Sequence, residues 1–149
     1  MGHSLNNSIR LLSFEITYNT YIRPRLEALD IFMKTSDIPY NLHDVAALLE
    51  ISEQTLAQIM RANNIDKLDK VSLFHVIFAC KTTLCQLIKR QWKYANVSSY
   101  TPEMISDIYN LNINIVQGAF EDYEVTEVTE DNLMEIFKRI HTCVYFENK

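Results

Sequence analysis

Residues 42–62 constrain the fold of this chain most, because their apolar residues fit two short helices joined by a tight turn. Val45 and Leu49 fall on one face of a first helix. Leu56 and Ile59 return to the same side at helical spacing in a second helix. The four side chains therefore predict a helical hairpin that packs against a common core.

The turn between the two helices has requirements that the sequence meets. Ile51 supplies an apolar side chain within the turn, and Ser52 is a residue type that caps the start of a helix. Ala46 is small, which allows the two helices to cross closely. We expect the second helix to begin at about residue 52, and the hairpin to end near Asn63 and Asn64, which suit the end of a helix.

The composition favours an all-α fold. The 149 residues include only two glycines and three prolines, whereas β proteins need many turn residues. The hydrophobic share of 48% and the charged share of 22% are ordinary for a globular protein. We therefore expect a single all-helical domain over residues 1–149, with enough chain for a real core.

Further helices are predicted around the hairpin. Apolar periodicity indicates helices over residues 6–19 and 23–34, before the hairpin. Residues 71–80 predict a strongly apolar helix of the kind that is buried at the centre of a domain, with a continuation through Leu84, Leu87, Ile88 and Trp92 to about residue 95. Pro102 suits the first turn of another helix, and residues 131–145 are expected to close the fold.

A shift of the sequence by 60 residues aligns the hairpin with a second hairpin-like stretch at 101–122. The aligned apolar pairs are Tyr40 with Tyr100, Val45 with Ile105, Leu48 with Ile108, Ile51 with Leu111, Leu56 with Val116, Met60 with Phe120, Ile65 with Val125, Leu68 with Val128 and Leu73 with Leu133. The pattern predicts two pseudo-repeats, residues 5–64 and 65–149, packed on the central apolar helix. The alternative is that any two helical hairpins of similar length align in part.

The first hairpin resembles the helix-turn-helix superfamily of DNA-binding domains in its three-helical form. The resemblance rests on Ala46, on the turn hydrophobe Ile51, and on Leu56 and Ile59 in the second helix. Glu50 departs from the family pattern, which usually has glycine in the turn. The match covers about 20 residues in each pseudo-repeat and implies a tandem arrangement of two such units.

The resemblance implies that the second helix of the first unit lies in the major groove of DNA. Its candidate DNA-contacting residues are Ser52, Glu53, Gln54, Thr55, Gln58 and Arg61. Glutamine side chains suit adenine edges, a glutamate accepts from cytosine, and an arginine suits phosphate or guanine. The alternative is a solvated face on a purely structural hairpin.

The charge distribution bears on the partner. The net charge of −5 and the pI near 5.3 are unusual for a nucleic-acid binder, because phosphate contacts need a basic surface. The candidate phosphate contacts are Lys81, Lys89, Arg90 and Lys93, a basic stretch with aromatic residues between them. Trp92 within that stretch serves equally well as a core anchor.

The second half of the chain is acidic, with ten Asp and Glu from Tyr100 onward against Lys138, Arg139 and Lys149. Such a surface repels a phosphate backbone and suits a protein partner. Two hypotheses follow. The chain is a small helix-turn-helix regulator that binds duplex DNA through its first unit, or it is an acidic adaptor or inhibitor of a regulatory, replication or mobile-element protein that does not itself bind DNA.

The remaining expectations concern assembly, chemistry and location. Residues 144–146 are apolar and are a candidate homodimer contact, with closure of the core as the alternative use. The sequence contains no phosphate-binding loop, no zinc motif and no nucleophile motif, so we expect no catalytic residue, metal or cofactor. No signal peptide or membrane-length apolar run is visible, and three unpatterned cysteines suit a cytoplasmic protein. Residue usage suggests a bacterial or phage source.

Overall fold

The computed structural model describes residues 7–147, with side chains for residues 12–142. Its elements in chain order are strand β1 (Asn7–Ser13), helix α1 (Phe14–Thr17), the π-helical turn Tyr18–Ile22, helices α2 (Arg23–Thr35), α3 (Leu42–Leu49), α4 (Glu53–Ala62), α5 (Lys70–Ala79), α6 (Thr83–Lys93), α7 (Pro102–Tyr109) and α8 (Ile113–Tyr123), the 3-10 turn Glu130–Asn132, helix α9 (Leu133–Arg139) and strand β2 (His141–Glu147). The prediction of an all-α fold is confirmed, with one small two-stranded sheet in addition.

The chain divides into two compact units whose boundaries differ from the predicted pseudo-repeats. The central unit comprises Pro24–Asn96, and the terminal unit comprises Met1–Arg23 together with Val97–Lys149. Helices α5 and α6 therefore belong with the first hairpin and not with the second. The predicted start of the first pseudo-repeat at residue 5 lies outside the described residues.

In the central unit, α3 and α4 form the hairpin that the sequence predicts at residues 42–62. The Asn41 side chain accepts a hydrogen bond from the Asp44 backbone N–H at 3.1 Å and begins α3. The Ser52 hydroxyl accepts one from the Thr55 backbone N–H at 3.0 Å and begins α4. The core under the hairpin contains, among others, Val45, Ala46, Leu49, Leu56, Met60, Leu73, Val76, Ile77, Cys85 and Ile88.

The long apolar helix predicted over residues 71–95 is in fact two helices, α5 and α6, bent by 113°. Cys80 has extended backbone angles (φ −78°, ψ 140°), which end α5. The Thr82 hydroxyl accepts a hydrogen bond from the Cys85 backbone N–H at 3.2 Å and begins α6. Both helices contribute to the core of the central unit, which explains why apolar residues recur along each of them.

The backbone of the first hairpin recurs 60 residues later. Helix α7 (Pro102–Tyr109) lies 60 positions after α3 (Leu42–Leu49). The 3-10 turn and α9, which together end at Arg139, lie 60 positions after α5 (Lys70–Ala79). Equivalent hydrogen bonds accompany the helices: the Ile51 N–H donates to Ala46 O at 3.0 Å, and the Leu111 N–H donates to Ser106 O at 3.0 Å. The correspondence therefore extends past the hairpins to the helix that follows each of them.

Both hairpins turn through residues with left-handed backbone angles. Glu50 (φ 62°) ends α3, and Asn110 (φ 54°) ends α7 at the equivalent position. Asn64 (φ 56°) and Glu124 (φ 60°) form a second equivalent pair after α4 and α8. Since this conformation favours glycine and is tolerated by asparagine, the two glutamates are the strained members of the set.

The terminal unit has an aromatic core. Phe137 lies at the centre, with ring centroids 4.8 Å from Phe14, 5.0 Å from Tyr18 and 5.1 Å from Tyr109. The hairpin α7–α8 packs on these rings through Ile105, Val116 and other buried side chains. This unit therefore closes its core with α1 and the π-helical turn, which precede the central unit in the chain.

The helix predicted over residues 6–19 is wrong in its first half. Residues Asn7–Ser13 form β1, which pairs antiparallel with β2, and helical structure begins only at Phe14. The Phe14 N–H donates to Ile140 O at 2.7 Å, so pairing with a distant segment overrides the local helical pattern. The candidate dimer contact at residues 144–146 lies in β2, and its side chains lie outside the described residues.

Candidate nucleic-acid interface

Helix α4 presents a polar face to solvent while its opposite face is held in the core. Leu56 is fully buried and Met60 is 6% exposed, so α4 is anchored along one side. Gln54, Gln58 and Arg61 are exposed and follow one another at intervals of four and three residues. This spacing places them in one row on the outer face of the helix.

Two of the predicted contact residues are engaged in the start of the helix. The Ser52 hydroxyl caps α4 and also donates to the Thr55 hydroxyl oxygen at 2.9 Å. Both residues are exposed, but their hydroxyl groups are already hydrogen-bonded to one another. The outward row of Gln54, Gln58 and Arg61 is therefore the part of α4 best able to meet a new partner.

Glu53 pairs with His43, a residue that the spacing of apolar residues does not connect with it. The Nδ1 atom of His43, on α3, lies 3.1 Å from Oε2 of Glu53, and both side chains are exposed. The hydrogen bond that the Glu53 carboxylate accepts from the imidazole, and its negative charge, raise the pKa of His43, with a smaller contribution from Asp44. When protonated, His43 neutralises Glu53 beside the outward row. Apolar periodicity carries no signal for this pair, because both side chains lie on exposed positions of their helices.

The glutamate in the turn is also paired. The Nε atom of Arg25, on α2, lies 2.7 Å from Oε2 of Glu50, and both groups are a little under half exposed. The pair joins the turn to the preceding helix of the central unit. It also reduces the negative charge near the start of α4.

The structure separates the four predicted phosphate contacts. Lys81 is exposed and lines a groove alongside α4 with Thr55. The Lys89 ammonium donates to Phe78 O at 3.1 Å and so caps the end of α5. Arg90 is half-buried, and the Lys93 ammonium lies 5.4 Å from the ring centroid of Tyr94. Of these four residues, only Lys81 lines the groove beside α4.

The acidic balance of the whole chain is not shared by the central unit. Between Pro24 and Asn96, nine Lys and Arg stand against eight Asp and Glu, a net charge of +1. The terminal unit has five Lys and Arg against eleven Asp and Glu, a net charge of −6. The charges of the two units, +1 and −6, add up to the −5 of the whole chain. The predicted contact face thus lies on the less acidic unit.

The equivalent face of the second hairpin has different chemistry. Gly118 stands at the position of Gln58, and Glu121 stands at the position of Arg61. Ile115, which is 44% exposed, replaces Thr55. Asn114 retains an amide at the position of Gln54. The second hairpin therefore repeats the backbone of the first without its row of amides and arginine.

Within the described part of the chain, no group of three or more His, Cys, Asp or Glu side chains is arranged to hold a metal ion. Cys80 and Cys85 are free and buried. Burial raises the pKa of the Cys85 thiol to about 12, because a thiolate would be poorly solvated there. This thiol is thus unsuited to act as a nucleophile near neutral pH.

None of the helices among the described residues is, taken singly, long and apolar enough to cross a membrane. Only α5 and α6 taken together have that length and composition, and they are bent by 113°. Compared with protein-family models, with characterised proteins and with solved structures, the chain matches none of them.

Proposed function

We propose that this chain is a small regulatory protein of helix-turn-helix type that binds duplex DNA through α4. In this arrangement the outer face of α4 lies in the major groove, and α3 crosses the backbone beside it. Gln54 and Gln58 are placed to hydrogen-bond adenine edges, and Arg61 is placed to reach guanine or phosphate. Lys81, beside α4, supplies a phosphate contact.

One observation supports this proposal above the others: a row of exposed amide and guanidinium groups lies along a helix whose other side is fixed in the core. Readout of base edges needs hydrogen-bonding side chains on a rigid support that fits the major groove. The charge difference between the units adds to the argument, because the row lies on the unit with net charge +1. A single such module buries little DNA surface, so we expect two copies on two half-sites.

The test is a fluorescence-anisotropy titration of the full chain with a labelled duplex that the wild-type chain has selected from a random-sequence pool. The triple variant Gln54→Ala/Gln58→Ala/Arg61→Ala should bind at least about tenfold more weakly, since a good base contact contributes about 1–3 kcal/mol. The matched control is Asn114→Ala/Gln117→Ala on the second hairpin, which should bind like the wild type. Equal affinity of the triple variant and the wild type would refute the assignment of α4.

A second candidate function is a protein-binding role for the acidic second hairpin. The observation that favours it is the exposed Ile115 in the first turn of α8, a helix whose other end carries Glu121, Asp122 and Glu124. A helix with an exposed apolar residue at one end and acidic groups at the other suits a partner with a basic rim. This role predicts that the chain does not bind duplex DNA even at low salt, so the same titration separates the two functions.

A further inference from the structure

A groove of about 370 Å³ lies in the central unit, between α4 and the segment that joins α5 to α6. One side is formed by Ile51, Thr55 and Ile59, and the other by residues 79–82, which join α5 to α6. The volume lies in the range of sites that hold small organic molecules. The groove is separate from the outward row of Gln54, Gln58 and Arg61.

The lining of this groove combines an apolar floor with a positive rim. Ile51, Ile59 and Ala79 supply aliphatic surface, and Lys81, which is exposed, adds a positive charge to the lining. These groups complement a molecule that has a negative head and a short apolar chain.

The groove depends on small residues that the second hairpin lacks. Thr55, Ala79 and Cys80 line it in the central unit. The residues 60 positions later are Ile115, Arg139 and Ile140, all of them larger. The Arg139 guanidinium is also held by Asp122 and Glu135, at 3.1 Å each. The groove is therefore lined by smaller residues in the first hairpin than those at the equivalent positions of the second.

We propose that this groove binds a small organic carboxylate that carries an apolar chain. The carboxylate pairs with Lys81 at the edge, and the chain lies on Ile51, Ile59 and Ala79. No covalent step is involved. The occupant contacts Thr55 and so lies against α4, but its binding does not require DNA.

The test is an NMR titration of the 15N-labelled full chain with hexanoate, without DNA. Hexanoate is small, so the expected dissociation constant is about 1 mM or weaker. Saturable shifts are expected at Ile51, Thr55 and residues 79–82. The neutral isostere hexanamide should bind about threefold more weakly, because it cannot pair with the lysine.

Two variants make the test specific. Lys81→Met keeps the aliphatic stem and should make hexanoate and hexanamide bind equally, whereas Lys67→Met, at an exposed lysine outside the groove lining, should preserve the threefold difference. Ala79→Leu should weaken both probes at least about tenfold by occupying the groove. If Ala79→Leu does not fold, the ratio of the hexanoate and hexanamide affinities in Lys81→Met tests the proposal on its own.

The proposal is overturned if hexanoate causes no saturable shift at the groove. It is also overturned if the shifts centre on another surface, or if Lys81→Met leaves the ratio of the two affinities unchanged. Because no DNA is present, these results are independent of the titration that tests DNA binding by α4.

Discussion

Glu124 offers a quantitative test of the hairpin geometry. It ends α8 with left-handed backbone angles (φ 60°, ψ 43°), at the position equivalent to Asn64. In this conformation a residue with a side chain destabilises the fold by about 1–2 kcal/mol, and glycine does not. Glycine also increases the conformational entropy of the unfolded chain, which lowers the free energy of unfolding by about 0.4–1 kcal/mol and offsets part of the gain. Glu124→Gly should therefore be about 0.5–1 kcal/mol more stable than Glu124→Ala.

The comparison with alanine isolates the backbone. Both variants remove a carboxylate from the negative end of α8, so they gain equally from the helix dipole. Glu121, which is exposed and helical, is the matched control: Glu121→Gly should be about 1 kcal/mol less stable than Glu121→Ala. Urea unfolding followed by far-UV circular dichroism measures the four free energies of unfolding. If Glu124→Gly is no more stable than Glu124→Ala, the left-handed assignment is refuted.

Three further predictions follow from contacts and burial. Glu53→Gln should lower the pKa of His43 towards 6.5, because the Glu53 carboxylate raises that pKa. NMR titration of the imidazole measures the pKa, and an unchanged value in the variant would show that the two residues do not pair. Because folding raises that pKa, the stabilisation from the pair is present below pH 6.5 and is lost as the pH rises through the raised value. Leu56 and Val116 are fully buried at equivalent positions, so Leu56→Ala and Val116→Ala each leave a cavity in the core. Urea unfolding should show that the free energy of unfolding falls by about 2–5 kcal/mol for Leu56→Ala and by less for Val116→Ala. Wild-type stability of either variant would show that its site is not part of the core. Cys85 should react with a thiol reagent at pH 8 far more slowly in the folded chain than in urea, and equal rates would show that the thiol is exposed.

The sequence predicts the hairpins well because their signals are local. Ser52 and Asn112 are good capping residues, and in the structure each caps the helix that follows it. The apolar positions of α3 and α4 recur within a few residues of one another, so a short window contains them. The 60-residue shift works for the same reason: the equivalent helices have the same bounds to within a residue or two.

Strand β1 and the break between α5 and α6 could not be predicted from apolar periodicity, because the first depends on a distant segment and the second on a local change of backbone conformation. Strand β1 forms because it pairs with β2, at the other end of the chain, and no short window contains both. The break between α5 and α6 depends on the extended backbone of Cys80, which ends α5, and on the Thr82 hydroxyl, which begins α6. Apolar periodicity alone does not distinguish one buried helix from two.

The candidate site was predicted in part. The exposed row on α4 follows from helical periodicity once Leu56 and Met60 are assigned to the core. The role of Lys89 could not be inferred in this way, because its hydrogen bond to Phe78 exists only where α6 folds back on α5. The groove beside α4 has the same origin, since Ala79 and Lys81 reach α4 only through that bend.

The most direct test of DNA binding by the central unit is the salt dependence of its affinity for duplex DNA. Each phosphate contact contributes about −0.9 to the slope of log K against log salt concentration. We expect a negative slope for the wild type, flatter by about 0.9 in Lys81→Gln and unchanged in Lys138→Gln, a control on the terminal unit. A wild-type affinity that does not depend on salt, or an unchanged slope in Lys81→Gln, would contradict the account.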